Sequence, residues 1–182
     1  LPKNTAATAA AVAALAEIAS SPTFKATYPT VASNYLAKAI KGWQFLQNAI
    51  ARYGQDGAYQ MITFSGDVFM HDDELAWAAA ALYNATGDTA YRTALYSYMP
   101  NPNSQSLRRW AWWSMFGGWG CATRDYGFAV RSGKLTSGQV DANYLALCEA
   151  EIKFAGSNSV DWSAKMAYGS SFTDESKGLR VA

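Results

Sequence analysis

His71-Asp72-Asp73-Glu74-Leu75-Ala76-Trp77, continuing as Ala78-Ala79-Ala80-Ala81-Leu82-Tyr83-Asn84-Ala85-Thr86-Gly87-Asp88, is the stretch whose reading decides the fold. A histidine and three acids come first, then an alanine-rich apolar run, then Thr-Gly-Asp. Acids at the start suit the positive end of a helix dipole. Leu75, Ala78, Ala79 and Leu82 follow the three-to-four spacing of a buried stripe. Gly87 stands where a left-handed C-cap is usual, and Asp88 can cap whatever follows. The segment reads as a helix with polar groups at its N-terminus and a body packed on small side chains.

Working outward gives more helices. Upstream, Asn4 or Thr5 can cap a helix reaching about Ser20, with Val12, Leu15 and Ile18 on one side. Ser20-Ser21-Pro22 breaks it. Pro29 suits the first turn of a second helix that runs to about Tyr53, where Leu36, Ile40, Trp43, Leu46 and Ile50 recur at helical spacing. Residues 58–70 hold β-branched and aromatic side chains but no second strand to pair with, and read as an ordered loop feeding the acidic helix. Downstream, a short helix from Asp88 to Tyr98 is stopped by Pro100 and Pro102. Residues 108–120 are the densest aromatic stretch. Gly117, Gly118 and Gly120 there argue against a continuous helix, each costing about 1 kcal/mol relative to alanine. A helix is expected to resume by about Ala122 and reach Arg131, with Gly133 as its cap. Another is expected from Thr136 to Ala155, and residues 156–182 give mixed signals.

The fold class is therefore all-α, built from consecutive helical hairpins. Each hairpin must bury one face on a neighbour, so a row of three leaves an apolar edge at either end. The expectation is that residues 1–182 are the central part of a larger helical domain, with its N- and C-terminal parts absent.

Bulk composition narrows the function. The chain has 182 residues, enough for one domain with a real core, and is 50% apolar and 14% aromatic. Its net charge of +1 points to neither nucleic acid nor an anionic membrane. No apolar run approaches the ~20 residues of a membrane span, and no basic region precedes an apolar one as in a signal peptide. The aromatic fraction fits a large core or a polar ligand that stacks on rings. Cys121 and Cys148 are compatible with one disulfide or with two buried thiols.

Three stretches carry a resemblance. The acidic helix resembles the DELxWAAxxLYxATGD segment of the family-nine glycoside hydrolases. Residues 109–135, RWAWWSMFGGWGCATRDYGFAVRSGKL, resemble an aromatic and RSGRL-containing segment of the subgroup with an N-terminal immunoglobulin-like module. Residues 162–180 are similar to that subgroup's AYGTSFPxESKxVR. The order matches as well. The resemblance implies an α/α toroid, a six-hairpin α/α barrel, of which about half is present. It also implies a secreted, extracellular enzyme that hydrolyses β-1,4-glucan with inversion and needs no cofactor. The expected partners are a β-glucan polysaccharide or oligosaccharide and the rest of the same catalytic domain.

Inversion needs two carboxyl groups about 6.5–9.5 Å apart, one protonating the leaving oxygen and one activating water. In the family the water-activating pair belongs to an Asp-Ala-Gly-Asp motif near the domain's start, and the proton donor is a Glu near its end. Neither motif occurs here, and Asp72-Asp73-Glu74 is a different motif. No catalytic residue is assigned, and the fragment alone is expected to be inactive. No spacing of oxygen ligands supports a metal site.

The remaining candidates are substrate contacts, since glucan offers flat CH-rich faces and equatorial hydroxyls. Trp119 is expected to stack from a glycine-flanked loop, or else to be core under a turn. Trp113 is a candidate from the Trp110, Trp112, Trp113 cluster, whose rings cannot all face one way. Arg124 can reach a sugar hydroxyl or pair with an acid. His71 can line the cleft or cap a helix, Asp72 can bind sugar or cap, and Glu74 reads as part of a structural ion pair. Phe64 stands about where the family places a cleft aromatic. Asn84-Ala85-Thr86 fits an N-glycosylation sequon. The alternative reading is a non-catalytic carbohydrate-binding or structural fragment of an α/α barrel. Another α/α toroid, such as an epimerase, is a third.

Overall fold

The computed structural model describes residues 5–54, 72–103, 118–165, 170–174 and 178–181. The described elements are helices α1 (Thr5–Ser20), α2 (Pro22–Thr27), α3 (Pro29–Tyr53), α4 (Asp72–Thr86), α5 (Thr89–Tyr98), α6 (Gly118–Gly127) and α7 (Ala142–Lys165), then strands β1 (Ser170–Asp174) and β2 (Gly178–Val181). The fold is all-α. Its small antiparallel β1–β2 hairpin pairs Ser170 with Val181 and Phe172 with Leu179, with a register shift before Asp174.

α4 is the hub. It packs on α1, α5 and α6, while α1 also packs on α3 and α6 on α7. Leu75, Ala76, Ala78 to Ala81, Leu82, Tyr83 and Asn84 are all buried. The acidic helix is thus buried on every side, beyond the single stripe its spacing predicts. A helix apolar all round needs neighbours all round, and alanine lets them approach closely. α1 shows the same economy: Ala9, Val12, Ala13, Ala16 and Ala19 face the core. Ile18 was expected on that side with Val12 and Leu15 but is 42% exposed, while Val12 is buried among the alanines and Leu15 packs partly on the core.

The helix ends follow local chemistry. Asp88 caps α5, its Oδ1 accepting from the Ala90 N–H at 2.9 Å. Gly87 closes α4 at φ 70°, a left-handed conformation that a side chain resists. Two boundaries differ from the sequence expectation. α6 starts at Gly118, not Ala122, and ends at Gly127, short of Arg131. α7 starts at Ala142 because Asp141 caps it, Oδ1 accepting from the Tyr144 N–H at 2.8 Å. A 3-10 turn, Ser137–Gln139, precedes it with a Thr136/Gln139 capping box. α7 then runs past Gly156 to Lys165, so much of the mixed tail is helix.

A tyrosine layer ties that turn to the helices. The Tyr83 hydroxyl donates to the Gln139 carbonyl. Tyr126 and Tyr96 share a hydroxyl contact of 2.8 Å, and the Asp141 N–H donates to Tyr126 at 2.9 Å. The Tyr144 hydroxyl donates to the Met99 carbonyl at 2.6 Å. Cys121 and Cys148 are both free thiols, and burial pushes the Cys148 thiol up to about 12. No described helix is long and apolar enough to cross a membrane.

Candidate functional site

α4 and α6 lie side by side in parallel. At their N-terminal ends the Gly118 N–H donates to Asp73 Oδ2 at 3.2 Å. Near their C-terminal ends Asn84 Nδ2 donates to the Asp125 carbonyl at 2.8 Å. Asp73 therefore caps its neighbour, supplying an acceptor to the first amide of α6 that has no partner within its own helix. The two positive helix ends share one carboxylate.

Glu74 is next in sequence and in space. Burial pushes its carboxyl up to about 8, reinforced by hydrogen bonding to Asp73 and by the Asp73 charge. Its Oε2 has no hydrogen-bond partner among the described residues. The expected structural ion pair is replaced there by an acid beside an acid, since Asp73 is committed to α6. Asp72 opens α4 close enough to Tyr98 for its charge to raise that phenol further, after burial has raised it first.

Trp119 was expected on a loop. It stands instead in the first turn of α6, half-buried against the core, and its carbonyl accepts from Thr123 Oγ1 at 2.8 Å. Gly118 before it serves helix packing: a Cβ there would lie 2.6 Å from the Asp73 carbonyl carbon. Asp72, Asp73, Glu74 and Trp119 thus gather at one end of the α4–α6 pair. His71, Phe64 and Trp113 lie outside the described residues.

Arg124 is elsewhere. Five residues along a helix is a rise of about 7.5 Å and a different face from Trp119. Its Nη2 donates to Cys121 Sγ at 3.2 Å. It lines a cavity of about 290 Å³ together with Glu17, Trp77, Asp125, Phe128 and Lys134. Asp125 is only 8% exposed. Burial first, then the Glu17 charge, push its carboxyl up to about 7, opposed by Lys134, Trp77 and Arg124. The Trp77 indole lies near enough to favour the ionised form, yet neither Trp77 Nε1 nor Asp125 Oδ2 completes a well-formed hydrogen bond. Of this group the sequence analysis singled out Arg124 alone. A further signal was Trp77, a large side chain in a run of small ones. Among the described residues no three His, Cys, Asp or Glu side chains are placed to hold a metal ion.

The match to known families decides the affiliation. The family model for glycosyl hydrolase family 9 matches residues 2–174. The chain belongs to glycosyl hydrolase family 9. Searches of curated proteins and of solved structures returned no match. The family match covers the seven described α-helices and β1, so the parallel α4–α6 pair and the cavity belong to a glycosidase scaffold.

Proposed function

We propose that this chain is the central part of a secreted catalytic domain that hydrolyses β-1,4-glucan with inversion. The family match over residues 2–174 carries the reading. The arrangement of the helices supports it. α1, α4 and α6 form a row, each backed by the helix that follows in α3, α5 and α7, as successive hairpins of an α/α toroid would be. Neither the Asp-Ala-Gly-Asp motif nor the C-terminal Glu motif occurs in the 182 residues. The two carboxyl groups that inversion requires are therefore assigned to other parts of the domain.

This chain's share of the work is to bind and orient glucan. Trp119 and Asp72 stand at the N-terminal end of the α4–α6 pair and are proposed to meet the sugar there; His71, Phe64 and Trp113 are proposed as further sugar contacts on the family resemblance. The α4 and α6 amides add a positive field at that end, which favours hydrogen bonds to hydroxyl oxygens. Arg124 is retained as a substrate contact on its own face of α6. Glu74, held largely protonated at neutral pH, can donate a hydrogen bond.

The test is hydrolysis of soluble and crystalline β-1,4-glucan by the product of the complete gene, with the first-formed anomer followed by NMR. Release of the α-anomer is expected. Inactivity on every β-glucan, with glucan binding intact, would favour the non-catalytic carbohydrate-binding alternative. Release of the β-anomer would overturn the mechanism.

A further inference from the structure

Helices α2 and α3 carry charge of one sign. Between Glu17 and Asp56 the sequence holds Lys25, Lys38, Lys41 and Arg52 and no acid, whereas the whole chain nets only +1. Lys25, Lys38 and Lys41 are exposed, and none of the three makes an ion pair among the described residues. Beside them lies a cluster of rings. α2 has no buried residue, so it adds nothing to the core. Its Phe24 ring instead lies 5.4 Å from that of Tyr28 and 6.1 Å from that of Tyr35, nearly parallel to the latter at 18°. Tyr28 is 54% exposed. It stands at the N-cap of α3, where Ser, Thr, Asp or Asn would supply an acceptor, and its side chain makes no cap hydrogen bond. A large ring that serves neither core nor cap, on a rim of polar groups, marks a surface kept for a partner.

Two demands define that partner. The rings offer flat faces to CH groups. The lysines call for negative charge next to those faces: Lys25 follows Phe24 on α2, and Lys38 stands one turn along α3 from Tyr35. An apolar helix seated here would strip water from lysines with no acid to pair them, which is costly. A neutral glucan would leave the charges unused. A chain of pyranose rings that bear carboxylates meets both demands. Its sugar faces can lie on the aromatic rings while the flexible lysine stems bring ammonium groups to the carboxylates.

We propose that Phe24, Tyr28 and Tyr35, with Lys25 and Lys38, form a surface platform that binds an acidic polysaccharide. The platform lies away from the N-terminal end of the α4–α6 pair. Pro22, which opens α2, neighbours Gly133, past the C-terminal end of α6: a Cβ on Gly133 would lie 4.0 Å from Pro22 Cγ. The choice of a polysaccharide over an acidic peptide rests on the glucan reading, which places this chain among polysaccharides; the basic aromatic surface itself does not.

The test is calorimetric titration of oligogalacturonate into the 182-residue chain, beside its neutral methyl ester, a cello-oligosaccharide and polyglutamate. Oligogalacturonate is expected to bind saturably at low salt and to weaken as salt rises, because exposed charges are screened. Tyr28→Ala should weaken it several-fold to about tenfold through the lost ring face. Lys25→Gln together with Lys38→Gln should weaken it about tenfold and flatten the salt dependence. All three side chains are exposed or at the surface, so these variants keep the fold. No saturable binding up to about 10 mM oligomer, well above a millimolar dissociation constant, would end the proposal. Equal binding of the methyl ester or the cello-oligosaccharide would also end it, since charge would then play no part. Polyglutamate bound as tightly, with Tyr28→Ala without effect, would make the surface one for acidic protein and overturn it too. Loss of β-glucanase activity in the complete protein would sink the glucan reading alone, because oligogalacturonate binding is read directly.

Discussion

The Gly118 amide donates to the Asp73 carboxylate at 3.2 Å, while the Gly118 Cα sits so near Asp73 that an added Cβ would lie 2.6 Å from its carbonyl carbon. One residue pair thus sets both the register and the spacing of α4 and α6. Gly118→Ala pushes a Cβ against the Asp73 backbone, which no rotamer change relieves. The expected loss is about 1–3 kcal/mol, the usual range for overpacking. Urea unfolding of the two chains measures it. An unchanged midpoint would mean that the helices do not approach this closely.

Asp73 also governs Glu74. Two of the three influences that raise Glu74 come from Asp73, and the largest, burial, does not. Asp73→Ala should therefore lower the Glu74 midpoint below about 8 without returning it to 4.5. Carbon-13 NMR of the side-chain carboxyl reads this directly. The same variant leaves the Gly118 amide without its acceptor, at a cost of about 1–3 kcal/mol if that amide stays dry.

Asp125 should make stability depend on pH with the reverse of the usual carboxylate sign. Its pKa rises from 3.8 in the unfolded chain to about 7 in the fold, so the folded state holds the proton more tightly. Its favourable contribution is complete below 3.8, is lost as pH rises to about 7, and stays lost above. Each unit is worth about 1.4 kcal/mol, so up to about 4 kcal/mol disappears over that window. Asp125→Asn has no such titration. The difference in unfolding free energy between the two chains should slope through this window and be flat above it; a flat difference throughout would contradict the burial of this carboxyl.

The sequon at Asn84 should remain unmodified in the folded protein. Asn84 is 2% exposed and its Nδ2, the atom a glycan would occupy, donates to the Asp125 carbonyl. Intact-mass measurement after secretion from a glycosylating host should find no glycan at Asn84. Asn84→Ala should instead destabilise by about 1–3 kcal/mol, since the Asp125 carbonyl loses its donor.

Trp119→Ala tests the glucan reading. Stacking of a ring is worth about 0.5–1.5 kcal/mol beyond area burial, so KM of the complete domain for β-1,4-glucan should rise several-fold to about tenfold. Because the ring also packs on the core, Trp119→Phe separates the effects: it should keep the fold and recover part of the affinity. An unchanged KM in both variants would remove Trp119 from the substrate surface.

Much of this protein was legible along the chain because the signals are local. Spacing of apolar residues, Pro29 at a helix start, Asp88 as a cap and Gly87 at positive φ each depend on a few consecutive residues, and all appear in the fold. The glycines near Trp119 misled for the opposite reason. Isolated-helix propensity counts what glycine costs a single helix, whereas Gly118 is retained because a second helix needs the space. The start of α7 shifted likewise, because Asp141 competes with Thr136 for the cap and the tyrosine layer holds the intervening turn.

The chain by itself determined the helical class, the family motifs and the absence of the family's catalytic motifs, all of which are statements about neighbours in sequence. Only the tertiary structure decided that Asp73 serves another helix, that Glu74 faces an acid, and that Glu17, Trp77, Asp125 and Lys134 surround one cavity. The physical reason is that desolvation and pairing depend on what lies across a helix interface. Residues up to 117 positions apart in this cavity have no common pattern until the helices pack.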